Sequence, residues 1–238
     1  VAKKETATTR KFNLGRRWPK HLLFWFSNLL LVGLLFLFWN SKVLLPFKLF
    51  VVFLHESGHA LAALLTGGNI LSIEINPNQS GVTKFSGGNY FLALSGGYLG
   101  STLFGCFFLL ISGFRRIQRM IIFGLGLLIL IMIVLYIRQP FTIVYCLLFG
   151  LFLIVVSMFM PELITTYFLR FLGFSSCMYA LFDIRSDLLT LTQNPHTDAA
   201  LLAQMTHIPA IGWAIAWSVI SLILIYLAIS FLIRLNRL

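Results

Sequence analysis

Charge is what this chain has least of. Only 11% of its 238 residues are charged, and Asp and Glu together number seven. A soluble globular domain carries about 25% charged residues and about 45–50% apolar ones, whereas here 59% are hydrophobic. Several apolar runs reach the roughly 20 residues needed to cross a hydrocarbon core. A water-soluble fold is excluded. Cysteine is also scarce: Cys106, Cys146 and Cys177 are the only three, and all lie within apolar segments. That odd, membrane-embedded set argues against a disulfide framework and leaves the redox compartment open. No repeat of 20–50 residues is visible, which excludes a solenoid. Seven spanning helices of about 20 residues each would use most of the chain and leave no room for a second folded domain. The fold expected is therefore an all-α polytopic membrane protein of about six to seven transmembrane helices. It forms one bundle over residues 22–238, preceded by a basic arm over 1–21.

The arm accounts for much of the net charge of +11, with Lys3, Lys4, Arg10, Lys11, Arg16, Arg17 and Lys20 opposed only by Glu5. A basic segment ahead of a span is a topology signal and is attracted to anionic headgroups. No nucleic-acid reader module follows it, so no nucleic-acid partner is expected. The chain begins at Val1, so either a leader has been removed or residues precede it. With the arm inside and strict alternation of spans, the arm's side collects Lys84, Arg138 and Arg185. The other side then holds Lys42, Lys48, Arg115, Arg116, Arg119, Arg170, Arg234 and Arg237.

Apolar runs place spans near 22–39, 43–65, 90–112, 120–137, 140–159, 163–184 and 209–233, with Arg115–Arg119 as a loop and 186–208 as a polar stretch. One segment changes period. Leu71-Ser72-Ile73-Glu74-Ile75 alternates apolar and polar, as Val82-Thr83-Lys84-Phe85 does more loosely, around Asn76-Pro77-Asn78-Gln79-Ser80-Gly81. Period-2 alternation about a Pro/Asn/Gly turn predicts a β-hairpin, with a plain polar loop as the alternative.

With so few ionisable groups, those inside the bilayer stand out, since a mid-membrane charge costs about 3 kcal/mol on insertion scales. The second span carries His55-Glu56-Ser57-Gly58-His59. On a helix, positions i and i+4 share a face, so both imidazoles can address one ion. Glu56 can then reach a water on that ion, the arrangement that metal-assisted hydrolysis requires. A catalytic zinc takes three protein ligands. Asp183 and Asp187, also i, i+4, close the sixth span. Asp183 is the candidate third ligand, with Asp187 as the alternative, otherwise a neighbouring or substrate-side group; pairing with Arg185 or Arg170 is the bland alternative. His196 and His207 fall in the polar stretch, His21 at an interface, and Asp198 is read only as a helix cap.

These residues resemble the site-2 protease family of intramembrane zinc metalloproteases, in its small, single-domain B-type branch. The resemblance rests on His55-Glu56-x-x-His59, the hairpin after it, Ser95-Gly96-Gly97-Tyr98-Leu99-Gly100-Ser101, the stretch Tyr179–Asp187, and Thr197-Asp198-Ala199, over about 43–233. It implies His55 and His59 as zinc ligands, Glu56 as general base and an aspartate of a later helix as third ligand. It also implies membrane proteins cut in or near a transmembrane segment as substrates. The family's Asn-x-x-Pro and Leu-Asp-Gly pattern is absent, Asp183 being followed by Ile184. A scaffold that binds transmembrane segments without cutting them therefore stays as the alternative, and a metal transporter as a more distant one. The exposed hairpin edge could hold an unwound substrate segment by strand addition. A bacterial inner membrane is the simplest host and an organellar membrane is compatible. Substrate identity and oligomeric state stay open.

Overall fold

A computed structural model describes residues 20–190 and 197–236. The basic arm over 1–19 and His196 lie outside the described residues, as do the side chains of Lys20 and His21. Helix α1 spans Lys20–Phe38, and a 3-10 turn at Lys42–Leu44 leads into α2 (Leu45–Leu65). Strands β1 (Asn69–Ile75) and β2 (Gly81–Ser86) follow, then α3 (Tyr90–Ile111), α4 (Arg115–Tyr136) and α5 (Pro140–Phe159). The chain ends with α6 (Glu162–Thr190), α7 (Asp198–Thr206) and α8 (Ala210–Asn236).

Local chemistry accounts for the main boundaries. Proline opens α2 and α5 in the first turn, where its missing N–H costs nothing. The Asn89 side chain accepts from Leu92 N at 3.1 Å and so caps α3. The hairpin forms where the alternation lies, with β1 and β2 antiparallel and Ile73 opposite Thr83. Five helical segments among the described residues are long and apolar enough to cross a membrane: Lys42–Leu65, α3, α4, α5 and Ala210–Leu235. The protein is an integral membrane protein. The apolar part of α1, Leu22–Phe38, is shorter, and α6 carries Glu162, Arg170, Asp183, Arg185 and Asp187 along its length.

Three sequence expectations need correction. Arg115–Arg119 is the first turn of α4 and not a loop, because the buried Gln118 amide donates to Ser112 O at 2.8 Å and its carbonyl accepts from Thr166 at 2.9 Å. The polar stretch 186–208 is partly helical, since α6 continues to Thr190 and α7 starts at Asp198. Two cations tallied to one side of the membrane, Lys48 and Arg170, fall within the spans 43–65 and 163–184 and are buried in the protein. Lys48 is 8% exposed with its ammonium 5.8 Å from the Trp39 ring centre, and Arg170 is 5% exposed over Phe24 and Tyr167. Neither cation therefore marks a membrane face.

Helix α2 lies at the centre, with Phe50, Val52 and Phe53 in the largest buried cluster beside Phe108, Phe149 and Leu169. Its other flank meets α3 backbone to backbone: a Cβ on Gly100 would lie 2.7 Å from Gly58 Cα, and one on Gly96 would lie 2.6 Å from Gly58 O. Without a hydrophobic force between helices in lipid, such close approach of small residues is a main source of helix association. On its far side α3 meets α6, where the Ser176 hydroxyl donates to Ser101 O at 2.7 Å.

Candidate metal centre

The helical spacing of α2 delivers what it predicts: the His55 and His59 rings lie 4.7 Å apart, and both side chains are buried. His59 Nδ1 sits 2.8 Å from Ala93 O in the first turn of α3. A carbonyl can only accept, so Nδ1 carries the proton and Nε2 presents its lone pair. Beneath both rings is Gly97, where a Cβ would come within 2.5 Å of each Nε2. Only glycine leaves that space open.

The residue that meets both imidazoles is Asp198. Its Oδ2 lies 3.3 Å from His55 Nε2 and 3.2 Å from His59 Nε2. Among the described residues, these three form the group of His, Cys, Asp and Glu that could hold a metal ion, with ligand atoms within 4.8 Å of one another. In a tetrahedron with bonds of about 2.0–2.1 Å, adjacent ligand atoms are about 3.3 Å apart. The Asp198 separations fit that edge, and the open space over Gly97 fits an ion. Burial works against the Asp198 charge, yet the His59 and His55 imidazoles hold its carboxyl below the ordinary carboxylate range.

Asp183 lies on the other side of His55, its Oδ2 3.5 Å from Nδ1. Nδ1 has no hydrogen-bond partner, and 3.5 Å is too long for a well-made one. Tyr179 donates to Asp183, and the Tyr98 hydroxyl donates to Asp187. The two aspartates share a face of α6 as their spacing predicts, but that face meets the far nitrogen of His55 and the tyrosines. Asp198 was missed because its surroundings read as loop, and the capping role assigned to it is corrected. Thr197 caps α7, its side chain accepting from Ala200 N at 3.3 Å. The one available signal was scarcity, an Asp directly after a capping Thr in a chain with seven acids. His207 closes α7 in the left-handed conformation, φ 59°.

Glu56 projects from α2 towards the hairpin. It is 5% exposed, and Thr83 Oγ1 lies 2.7 Å from its Oε2. His55, Glu56, His59, Thr83, Tyr179, Asp183, Asp187 and Asp198 line one cavity of about 790 Å³, walled on one side by β2 and the glycines after it and on the other by α6 and α7.

A family model described as "Peptidase M50B-like" matches residues 28–228. No curated protein and no solved structure matches the chain.

Proposed function

The chain belongs to the peptidase M50B-like family, and on that premise we propose that it is a zinc-dependent intramembrane endopeptidase. The ion would be held by His55, His59 and Asp198. The observation that carries this reading is the placement of Asp198 Oδ2 at 3.2–3.3 Å from both Nε2 atoms. Bound zinc supplies Lewis acidity and brings a water into its ionisable range near neutral pH. The chain's own groups do the rest. Glu56, facing the cavity one residue from His55, takes the proton of the attacking water and returns it to the leaving amine. Ala93 O holds His59 in the tautomer that leaves Nε2 free. Asp183, which accepts from Tyr179, stands 3.5 Å from His55 Nδ1, where its charge favours a proton on that nitrogen and leaves Nε2 for the ion.

The substrate is a membrane protein whose transmembrane segment unwinds into the cavity, where the outer edge of β2 can take it up as an added strand. The hairpin's position along the cavity wall supports this. The host we favour is a bacterial inner membrane.

The test is bound zinc per chain in detergent-purified protein. The wild type should hold about one equivalent, lost in His59→Ala and Asp198→Ala. Asp183→Asn should keep the ion with affinity about 10–100-fold weaker, the usual cost of removing an outer-shell partner. Retention by Asp198→Ala with complete loss in Asp183→Ala would transfer the ligand role to Asp183. A wild type without zinc under metal-replete conditions would leave the scaffold reading.

A further inference from the structure

Strand β2 does more than border the cavity. Its residues alternate in exposure, with Gly81, Thr83 and Phe85 turned inward and Val82, Lys84 and Ser86 outward, as the two-residue period of a strand requires. The inward face lies on α2 at Glu56. Gly81 sits against the carboxylate so closely that a Cβ there would collide with Oε1. Two residues on, the Thr83 hydroxyl reaches both Glu56 Oε2, at 2.7 Å, and Glu56 O, at 2.9 Å. The carboxylate is thus seated between an absent side chain and a hydroxyl on adjacent inward positions of one strand. A hydroxyl has one proton to donate, and the shorter contact, to the group able to carry charge, is the stronger acceptor.

We propose that Thr83 is a positioning residue for Glu56, fixing the direction of its carboxylate from the same strand whose outer edge faces the substrate. Glu56 has one free side-chain torsion more than an aspartate would, and no other side-chain hydrogen bond holds it among the described residues. Without the hydroxyl its carboxylate can turn within the cavity, and a misplaced base costs turnover without costing substrate affinity. Because one strand carries both the clamp and the exposed edge, a shift of β2 on peptide binding is transmitted to the base directly.

This inference rests on the protease reading for its kinetic consequence but not for the contact, so two measurements keep them apart. The first is a double-mutant cycle on thermal unfolding in detergent. Thr83→Val keeps the shape and removes the hydroxyl; the drop in melting temperature it causes should shrink by at least half in a Glu56→Ala background. Equal drops in both backgrounds overturn the proposal. The second is cleavage, in liposomes, of a single-pass polypeptide bearing a fluorophore and a quencher on either side of its span. Thr83→Val should lower kcat at least tenfold with KM and bound zinc unchanged, and Thr83→Ser should recover to within threefold of wild type. A kcat within twofold of wild type for Thr83→Val, or a loss confined to KM, overturns positioning. A wild type no more active than Glu56→Gln would instead overturn the protease reading, and the unfolding cycle would still decide the contact.

Discussion

Helices α2 and α4 are nearly equal in length, at 21 and 22 residues, yet they occupy opposite environments. In the span containing α2, 72% of the most apolar window is buried within the protein, against 17% for α4. Over those windows the inner helix is the less apolar of the two. It carries Lys48, His55, Glu56 and His59, all buried. The outer helix presents Met120, Leu128, Ile131, Val134 and Leu135 outward. In water the order would be reversed. In lipid the hydrocarbon outside is as apolar as any leucine, so helices come together through small residues and polar contacts. Polar groups are tolerated only where the protein itself can satisfy them. The interior of this molecule is where its chemistry is affordable, and the outer helices supply a jacket.

The comparison can be broken most severely under the imidazoles. Gly97→Ala should lower metal affinity by two orders of magnitude or more, because its methyl would lie 2.5 Å from both Nε2 atoms. Gly33→Ala, in the outer helix α1 with nothing within 4 Å, should leave metal binding unchanged. Equilibrium dialysis with zinc measures both. A smaller effect is expected at the seam between α2 and α3. Gly58→Ala forces its methyl into the backbone of Gly96 and should destabilise by about 1–3 kcal/mol, the usual range for overpacking. Gly124→Ala on α4 meets nothing within 4 Å and should be neutral or stabilise by about 0.5–1 kcal/mol through better helix propensity. Unfolding in mixed micelles would show whether the two glycines differ in sign.

The smallest effect belongs to the hairpin's outer face. Lys84 Nζ donates to Glu74 Oε1 at 3.0 Å, and this bond, more than any other contact, holds the Glu74 carboxyl below its ordinary range. A carboxyl lowered in the folded state contributes stability above its unfolded pKa, and that contribution is lost as pH falls through the folded one. The pair is solvent-exposed, so Glu74→Gln should cost no more than about 0.5 kcal/mol at pH 7. The difference from wild type should close on acidification below the carboxylate range, as thermal melts at the two pH values would show.

Much of this was legible in the sequence because the signals were periodic. The i, i+4 spacing placed His55 and His59 on one face, and the two-residue alternation placed the hairpin. Gly96 and Gly100 stand four residues apart on one face of α3, and Gly58 of α2 meets them there. What escaped were contacts set by tertiary packing. Asp183 and Asp187 do share a face, but no spacing rule says which nitrogen of His55 that face will meet. Asp198 sits at the start of a nine-residue helix too short for a periodic signature. Hydropathy records the cost of Lys48 and Arg170 within their spans, and it does not show that Trp39 or Phe24 and Tyr167 will receive the charge.

The floor of the candidate metal centre is main chain, and that has a consequence for how the site tolerates change. A floor built from a side chain can be trimmed or enlarged one substitution at a time. A floor at glycine can only be raised, and its depth is set by the register of α3 against α2. One helical step is about 1.5 Å along the axis and about 100° around it, enough in one direction to bring Tyr98 under the imidazoles in place of Gly97. The seam of glycines that locks this register is therefore a gauge as well as a joint. It sets the depth of a pocket one turn away with a tolerance finer than a single residue.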